Sequence, residues 1–179
     1  MAKKVVILSG SPRKGGNSDL LCDQLLNGAT ESGHQVEKIS LREKKIGYCV
    51  ACDACQKSGG RCVQQDDMAE VLEKLINTDV IVMATPVYFY TMNAQMKTLI
   101  DRCYARYTQI SGKEFYFIMT AAVGNKALLE RTLEGFHGFT SCLSGAREKG
   151  IIYGSGAWNI GDITRSPAMN EAYEMGKNL

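Results

Sequence analysis

Several residue types are scarce in this chain of 179 residues, and each scarcity excludes a class of protein. Three prolines exclude a proline-rich low-complexity chain, and two histidines exclude a histidine-rich metal site. No apolar run approaches the roughly 20 residues that cross a bilayer, so no membrane partner is expected. Twenty-one basic residues against nineteen acidic ones leave a net charge of +2, too balanced for a nucleic-acid-binding surface.

The residues that are present indicate a globular α/β protein. Apolar residues make up 45% of the chain and charged residues 22%, and the length fits one domain over residues 1–179. The start, Met-Ala-Lys-Lys, leads directly into a β-type run rather than a signal peptide, so we expect a cytoplasmic protein. Four of the seven cysteines fall within residues 49–62, which in the cytoplasm favours metal or redox chemistry.

Short apolar runs alternate with helical patterns along the chain. Buried strands are predicted at 4–8, 80–84, 115–122 and 150–153, with an edge strand at 35–41. Helices are predicted at 18–32, from 67 to 76, at 93–106 and, less regularly, at 126–144. Pro86 is expected to close the third strand, and Asp67 with Glu70 is expected to form a capping box. This alternation predicts a five-stranded parallel sheet with helices on both faces.

The loop after the first strand has the composition of a phosphate site. It is rich in glycine and serine and leads into a helix N-terminus, where free backbone N–H groups and the helix dipole favour an anion. Its spacing matches neither the nucleoside triphosphatase loop nor the dinucleotide fingerprint, so a monophosphate fits best. The predicted phosphate ligands are Ser9, Ser11, Arg13, Asn17 and Ser18.

Two segments carry a resemblance to a known family. Ser-Pro-Arg-Lys-Gly-Gly-Asn-Ser at 11–18 and Thr-Pro-Val-Tyr-Phe-Tyr at 85–90 resemble the NADPH-dependent FMN reductase family and its iron-sulfur flavoprotein branch. The resemblance implies a flavodoxin-like three-layer fold with strand order 2-1-3-4-5, and FMN with its phosphate in the first loop. Within this single domain we also expect a Cys-rich loop at 48–65 and a C-terminal extension at 155–179.

The loop after the third strand suits the isoalloxazine ring of FMN, because aromatic side chains are concentrated there. The same aromatic residues are also compatible with a subunit interface, and Asn93 is equally suited to capping the following helix. Small residues after the fourth strand allow close approach of a flat ring. The predicted ring-binding residues are Thr85, Pro86, Val87, Tyr88, Phe89, Asn93, Ala122 and Gly124.

Cys49, Cys52, Cys55 and Cys62 follow the spacing C-x2-C-x2-C-x6-C. Thiolates three residues apart can turn toward one centre, and the resemblance implies a [4Fe-4S] cluster on these four residues. Unmetallated thiols, zinc and a disulfide remain alternatives. The other cysteines, Cys22, Cys103 and Cys142, are predicted to be small core residues.

Two further features are interpreted as structural. Asp101 and Arg102 are expected to form a surface or interface ion pair. Trp158 is suited either to a subunit contact or to covering the flavin of a neighbouring subunit.

The combined expectation is an FMN-dependent oxidoreductase that passes electrons from NAD(P)H or a ferredoxin-like donor to a small acceptor or a carrier. A non-enzymatic electron carrier of the flavodoxin or iron-sulfur flavoprotein kind is the alternative, and a binding module with an empty site is a third. The flavin would do the chemistry, so no catalytic side chain is predicted. The expected partners are a small-molecule or protein redox partner and further copies of the chain, in a homodimer or homotetramer.

Overall fold

The apolar runs form a parallel sheet at the centre of the fold. The computed structural model describes residues 1–179, with strands β1 (Lys4–Ser9), β2 (Gln35–Ser40), β3 (Val80–Tyr88), β4 (Thr91–Met92), β5 (Glu114–Ala121) and β6 (Arg147–Ser155). The five long strands are parallel in the order β2-β1-β3-β5-β6. The predicted flavodoxin-like fold is confirmed. The sequence did not predict the two-residue β4, which pairs antiparallel with β3.

Helices cover both faces of the sheet. They are α1 (Asn17–Glu31), α2 (Ala54–Lys57), α3 (Met68–Ile76), α4 (Ala94–Arg102), α5 (Glu130–Thr140) and α6 (Ala168–Lys177). Alternate residues of β1 enter two separate cores: Val6 and Leu8 pack with α3, α4 and α5, whereas Val5 and Ile7 pack with α1 and α6. None of these helices is long and apolar enough to cross a membrane.

The segment after residue 155 contributes α6 to one of these helix layers. A Cβ atom on Gly28 of α1 would lie 2.1 Å from the carbonyl oxygen of Tyr173, and one on Gly176 of α6 would lie 2.2 Å from that of Leu25. Glycine at both positions therefore lets the two helix backbones approach closely. The C-terminal segment is held to α1 by this contact.

Two local predictions are wrong. Strand β3 continues through Pro86 to Tyr88. The carbonyl of Ala84 accepts the N–H of Gly10, so the backbone groups of Ala84 face β1. Backbone groups two residues apart on a strand face the same side, and the nitrogen of Pro86 therefore also faces the β1 side. Because β1 has already ended at Ser9, the missing N–H of Pro86 costs no hydrogen bond between strands. The capping box at α3 is absent. The Asp67 carboxylate accepts the N–H of Lys45 instead, and Glu70 pairs with lysines.

Of the three cysteines outside the Cys-rich loop that were predicted to be core residues, two are buried and one is exposed. Cys22 and Cys103 are fully buried core residues, as predicted. Cys142 is exposed: it lies in the turn that follows the end of α5 at Thr140, and its thiol donates to the carbonyl of Gly138. The core prediction for Cys142 is therefore wrong.

Candidate functional site

A cavity of about 610 Å³ opens at the carboxyl ends of β1, β3 and β5. In a parallel sheet this edge, where the strand order reverses, is the usual ligand site. Four segments form its walls: the loop after β1, the β3–β4 hairpin with the start of α4, the end of β5, and the chain after β6. The structure thus brings both predicted flavin segments, which are far apart in sequence, to one place.

The first turn of α1 offers free hydrogen-bond donors to this cavity. The Ser18 side chain lies in the wall and is 1% exposed, and its hydroxyl is the single buried side-chain N or O atom without a partner. The backbone N–H groups of Asn17, Ser18 and Asp19 have no acceptor either. A buried polar atom without a partner is costly, so these donors fit a phosphate held at the helix N-terminus.

Glycine keeps the same turn open. A Cβ atom on Gly16 would lie 2.5 Å from Oγ of Ser11 and 3.1 Å from the carbonyl oxygen of Arg13. The Ser11 hydroxyl donates to that carbonyl (2.9 Å), and Oγ accepts the N–H of Arg13 (3.2 Å). Ser11 and Arg13 both line the cavity, and Arg13 is exposed. The turn is therefore rigid while its outer surface stays accessible.

Two other predicted phosphate ligands have protein partners. The Asn17 side chain donates to the carbonyl oxygens of Ala157 (3.3 Å) and Asn159 (2.9 Å), and its oxygen accepts two backbone N–H groups of residues 161 and 163. Asn17 lines the cavity and ties the C-terminal segment to it. The Ser9 hydroxyl lies behind the loop and donates to Asp19 (2.8 Å).

Asp19 is the charged group buried closest to the phosphate turn. Burial alone would raise the pKa of Asp19, but hydrogen bonds from the Ser9 hydroxyl and the Lys38 ammonium group hold it below its usual value. Asp19 is therefore ionised at neutral pH.

An aromatic hairpin forms a second wall. Pro86, Val87, Tyr88 and Phe89 line the cavity, and the Phe89 side chain is fully exposed. Phe89 and Tyr90 are the two turn residues between β3 and β4. Their φ angles of 48° and 64° are left-handed, a backbone conformation that residues other than glycine rarely adopt. Backbone strain of this kind concentrates at functional sites.

Asn93 links the hairpin to the phosphate loop from beneath. Its Oδ1 accepts the N–H of Met96 (3.4 Å), which confirms the predicted capping of α4. The same oxygen accepts the Thr85 hydroxyl (3.0 Å), and Nδ2 donates to the carbonyl of Gly10. Asn93 touches the cavity, whereas Thr85 is buried behind the wall.

The strand after the hairpin contributes small residues. Ala122 lines the cavity as expected, together with Thr120 and Ala121. Gly124 is exposed and lies outside the wall. Ala121 belongs to the segment of small residues expected there, whereas Thr120 was not predicted, although its position at the carboxyl end of a predicted strand was a usable signal. Trp158, 74% exposed, closes the cavity from the C-terminal segment of the same chain.

The four clustered cysteines do not meet. Cys49 and Cys52 are exposed, Cys62 is half-buried and Cys55 is buried. No three cysteine, histidine or acidic side chains stand close enough together to bind one metal ion. In this arrangement the loop does not fit an iron-sulfur cluster.

Arg102 closes the base of the Cys-rich loop. Arg102 is 3% exposed, and its guanidinium donates to the carbonyl of Gly47 (2.7 Å), to both carboxylate oxygens of Asp66 (2.7 and 2.9 Å) and to Sγ of Cys62 (3.5 Å). The predicted pair with Asp101 is wrong, because adjacent residues of a helix point in different directions, and Asp101 pairs with Lys97. A second cavity, of about 640 Å³, lies beside this loop, and two of the three arginines that line it, Arg102 and Arg106, already pair with acidic residues.

A profile of the NADPH-dependent FMN reductase family matches residues 3–141, which include the phosphate turn, the aromatic hairpin and the Cys-rich loop. The chain belongs to this family. The match covers more than half of the chain and agrees with the site at the carboxyl end of the sheet.

Individual proteins similar to this family member support the assignment. The chain is 44% identical over 99 residues to an iron-sulfur flavoprotein of Archaeoglobus fulgidus. These 99 residues make up 55% of this chain and 44% of that protein, so the match spans less than half of the relative. Among solved structures, the Trp repressor binding protein of Bacillus subtilis is 26% identical with a TM-score of 0.73, over 97% of this chain and 99% of the other.

An FMN-dependent NADH-azoreductase of Bacillus anthracis, solved in complex with FMN, has a TM-score of 0.75 over 98% of both chains. Its sequence identity of 15% means that this likeness concerns the fold alone.

Proposed function

We propose that this member of the FMN reductase family is an FMN-dependent oxidoreductase that takes electrons from NAD(P)H or a ferredoxin-like donor and passes them to a small acceptor or a carrier. The observation that carries the proposal is the unpartnered Ser18 hydroxyl in the wall of the cavity. Bound FMN would supply the redox chemistry, accepting two electrons from a reduced nicotinamide and releasing them singly or in pairs.

The phosphate end of FMN fits the first turn of α1. The Ser18 hydroxyl and the free N–H groups of residues 17–19 would hydrogen-bond the phosphate oxygens. Arg13, which makes no ion pair within the chain, would add a positive charge from the open side, and Ser11 would line the turn. Charge-assisted bonds of this type favour FMN over riboflavin, which has no phosphate.

The ring end fits the wide part of the cavity. Pro86, Val87 and the small residues 120–122 line the cavity, together with the exposed side chains of Tyr88, Phe89 and Trp158. Aromatic side chains at an opening exclude water from a stacked ring and still admit a second flat molecule. This suits a site that receives donor and acceptor in turn.

The rate of NAD(P)H oxidation distinguishes the proposed enzyme from a non-enzymatic electron carrier. The chain is loaded with FMN, freed of excess cofactor by gel filtration, and mixed with NADPH or NADH and a quinone, nitro or azo acceptor. The enzyme proposal predicts multiple turnovers that depend on bound FMN. Retained FMN that is reduced, by NAD(P)H or by a reduced ferredoxin, but supports no turnover of any of these acceptors would favour the carrier, and failure to retain FMN would favour a binding module.

For the four clustered cysteines, we propose that Cys49, Cys52, Cys55 and Cys62 ligate a [4Fe-4S] cluster once the loop rearranges. The spacing of the thiols and the name of the relative from Archaeoglobus fulgidus support this. Ala51 and Asp53, which lie between these cysteines, have left-handed φ angles of 52° and 55°, a conformation that residues other than glycine rarely adopt.

Anaerobic reconstitution followed by iron and sulfide analysis tests the cluster, with about four of each per chain expected. Cys55→Ser should abolish iron binding, whereas Cys142→Ser, at an exposed thiol outside the loop, is the matched control. Stoichiometric zinc, or no metal under these conditions, would contradict the proposal.

We also propose that the protein acts in the cytoplasm as a homodimer or homotetramer. The exposed Phe89 and Trp158 at the mouth of the cavity support a contact between copies, because large aromatic residues are enriched in interfaces. Light scattering at several concentrations tests this, and a monomer at all of them would contradict it.

A further inference from the structure

A buried carboxylate lies directly behind the phosphate turn. Asp19, the third residue of α1, is 3% exposed. Its negative charge has the wrong sign for a direct contact with a phosphate, and the proposed function gives it no task. Buried charges are costly unless they are paired and hydrogen-bonded, so the contacts of Asp19 indicate what it does.

The carboxylate joins the two ends of the phosphate loop. Its Oδ1 accepts the hydroxyl of Ser9, the last residue of β1, at 2.8 Å. Its Oδ2 accepts the N–H of Gly15, just before α1, at 3.1 Å. Gly15 has a φ angle of 66°, and a Cβ atom there would meet nothing within 4 Å. Backbone conformation, rather than crowding, is thus what requires glycine at this point.

Two cations offset the charge of Asp19. The Lys38 ammonium group lies 3.1 Å from Oδ1, and the Arg42 guanidinium lies 3.4 Å from Oδ2. Both come from the β2 side, away from the cavity. The carboxylate therefore keeps its hydrogen bonds to the loop without presenting an uncompensated negative charge to an anion.

We propose that Asp19 is a positioning residue for the cofactor phosphate. By fixing Ser9 and Gly15, it sets the path of the loop, which leaves the Ser18 hydroxyl and the amides of the first turn of α1 free for the phosphate. Ser9 acts through Asp19 and does not touch the ligand. The inference rests on the proposed function and adds to it a residue that works from behind the site.

Binding of FMN and of riboflavin to Asp19→Asn tests the inference. Ser9 and Gly15 donate to different oxygens of the carboxylate, and asparagine has only one oxygen. The NH2 group of the variant therefore replaces one of these two acceptors and faces a cation, either Lys38 or Arg42. We expect FMN binding to weaken by about tenfold or more, the effect of losing one charge-assisted hydrogen bond, and riboflavin binding to change by less than about twofold. A merely structural role would weaken both ligands alike.

Asp23→Asn is the matched control. Asp23 lies on the same helix and shares Lys38 (2.5 Å), but its side chain is 46% exposed and does not touch the loop. This variant should bind both ligands as the wild type does. If Asp19→Asn does not fold, Ser9→Ala removes only the 2.8 Å bond and allows the same comparison.

Three outcomes overturn the inference. Equal weakening of both ligands would show general loosening, and no weakening would show that the carboxylate does not set the loop. A wild-type chain that binds neither ligand would overturn the proposed function, and this inference with it. Weaker binding of FMN but not of riboflavin in Asp19→Asn, or in Ser9→Ala where that variant is used, with no change in Asp23→Asn, supports it.

Discussion

Arg102 and Asp66 form a two-point ion pair, 36 residues apart in sequence, at the base of the Cys-rich loop. The Asp66 carboxylate also accepts the N–H groups of Gly47 (2.9 Å) and Met68 (3.2 Å). The pair thus joins the beginning of the loop, its end and the end of α4. The loop is held at its base, while Cys49 and Cys52 within it are exposed.

Removal of Arg102 is predicted to destabilise the fold strongly. Arg102→Ala leaves the Asp66 carboxylate and the Gly47 carbonyl without their partner, and loss of one member of a buried pair costs about 3 kcal/mol. Denaturant unfolding measures the change. Lys97→Ala, which breaks an exposed pair on the same helix, is the control and should cost less than about 0.5 kcal/mol. Equal effects in the two variants would contradict the anchoring role.

The Asp66 contact also predicts a pH dependence. Burial would raise the pKa of Asp66, but the hydrogen bonds from Arg102 hold it below its usual value of 3.8. A carboxyl group whose pKa is lowered in the folded state stabilises the protein above pH 3.8 and loses that contribution as the pH falls through the folded-state pKa.

Unfolding free energies of the wild type and Asp66→Asn, measured between about pH 6 and pH 3, check the sign. The wild type should be more stable at pH 6, and the difference should shrink below about pH 4. A difference that grows as the pH falls is the opposite of this prediction.

Asn93 is predicted to do more than cap α4. Asn93→Asp keeps an oxygen that can cap α4 but puts a carboxylate oxygen in place of the NH2 group that donates to the Gly10 carbonyl. The free energy of unfolding should fall by about 2 kcal/mol, which lowers the melting temperature by about 4–8 °C. Asn125→Asp is the matched control, because Asn125 caps a short helical turn through the N–H of Ala127 and is exposed. If both variants lower the melting temperature by a similar small amount, Asn93 does no more than cap α4, contrary to this prediction.

Trp158 provides a direct optical probe, because it is the only tryptophan in the chain and lines the cavity. Flavin in that cavity should quench its fluorescence, and the quenching should saturate at one FMN per chain. Trp158→Phe supplies the blank. Unchanged Trp158 emission while FMN is bound would place the flavin elsewhere.

The strands were readable from sequence because a buried parallel strand is a short apolar run. Their ends were less readable. Strand β6 begins at Arg147, three residues before the predicted Gly150, because Arg147 and Glu148 pair with β5 although their side chains are polar. Backbone pairing does not require an apolar side chain, so the apolar pattern underestimates strand length.

The phosphate loop was predicted by composition, but composition could not rank its donors. Ser9 and Ser18 look alike in sequence, yet Ser9 is bound to Asp19 and Ser18 is free. The partners of Asn17 lie 140 or more residues away, and those of Arg102 at least 36. Long-range contacts of this kind have no local signal.

The most direct test of the central claim is calorimetric titration of the wild-type chain with FMN and with riboflavin. The cofactors differ only in the phosphate, and the structure offers that group a free hydroxyl and free amides at α1. We predict one FMN per chain, bound at least about 100-fold more tightly than riboflavin, which corresponds to about 2.7 kcal/mol. Equal affinities for the two, or no binding of FMN, would contradict the account.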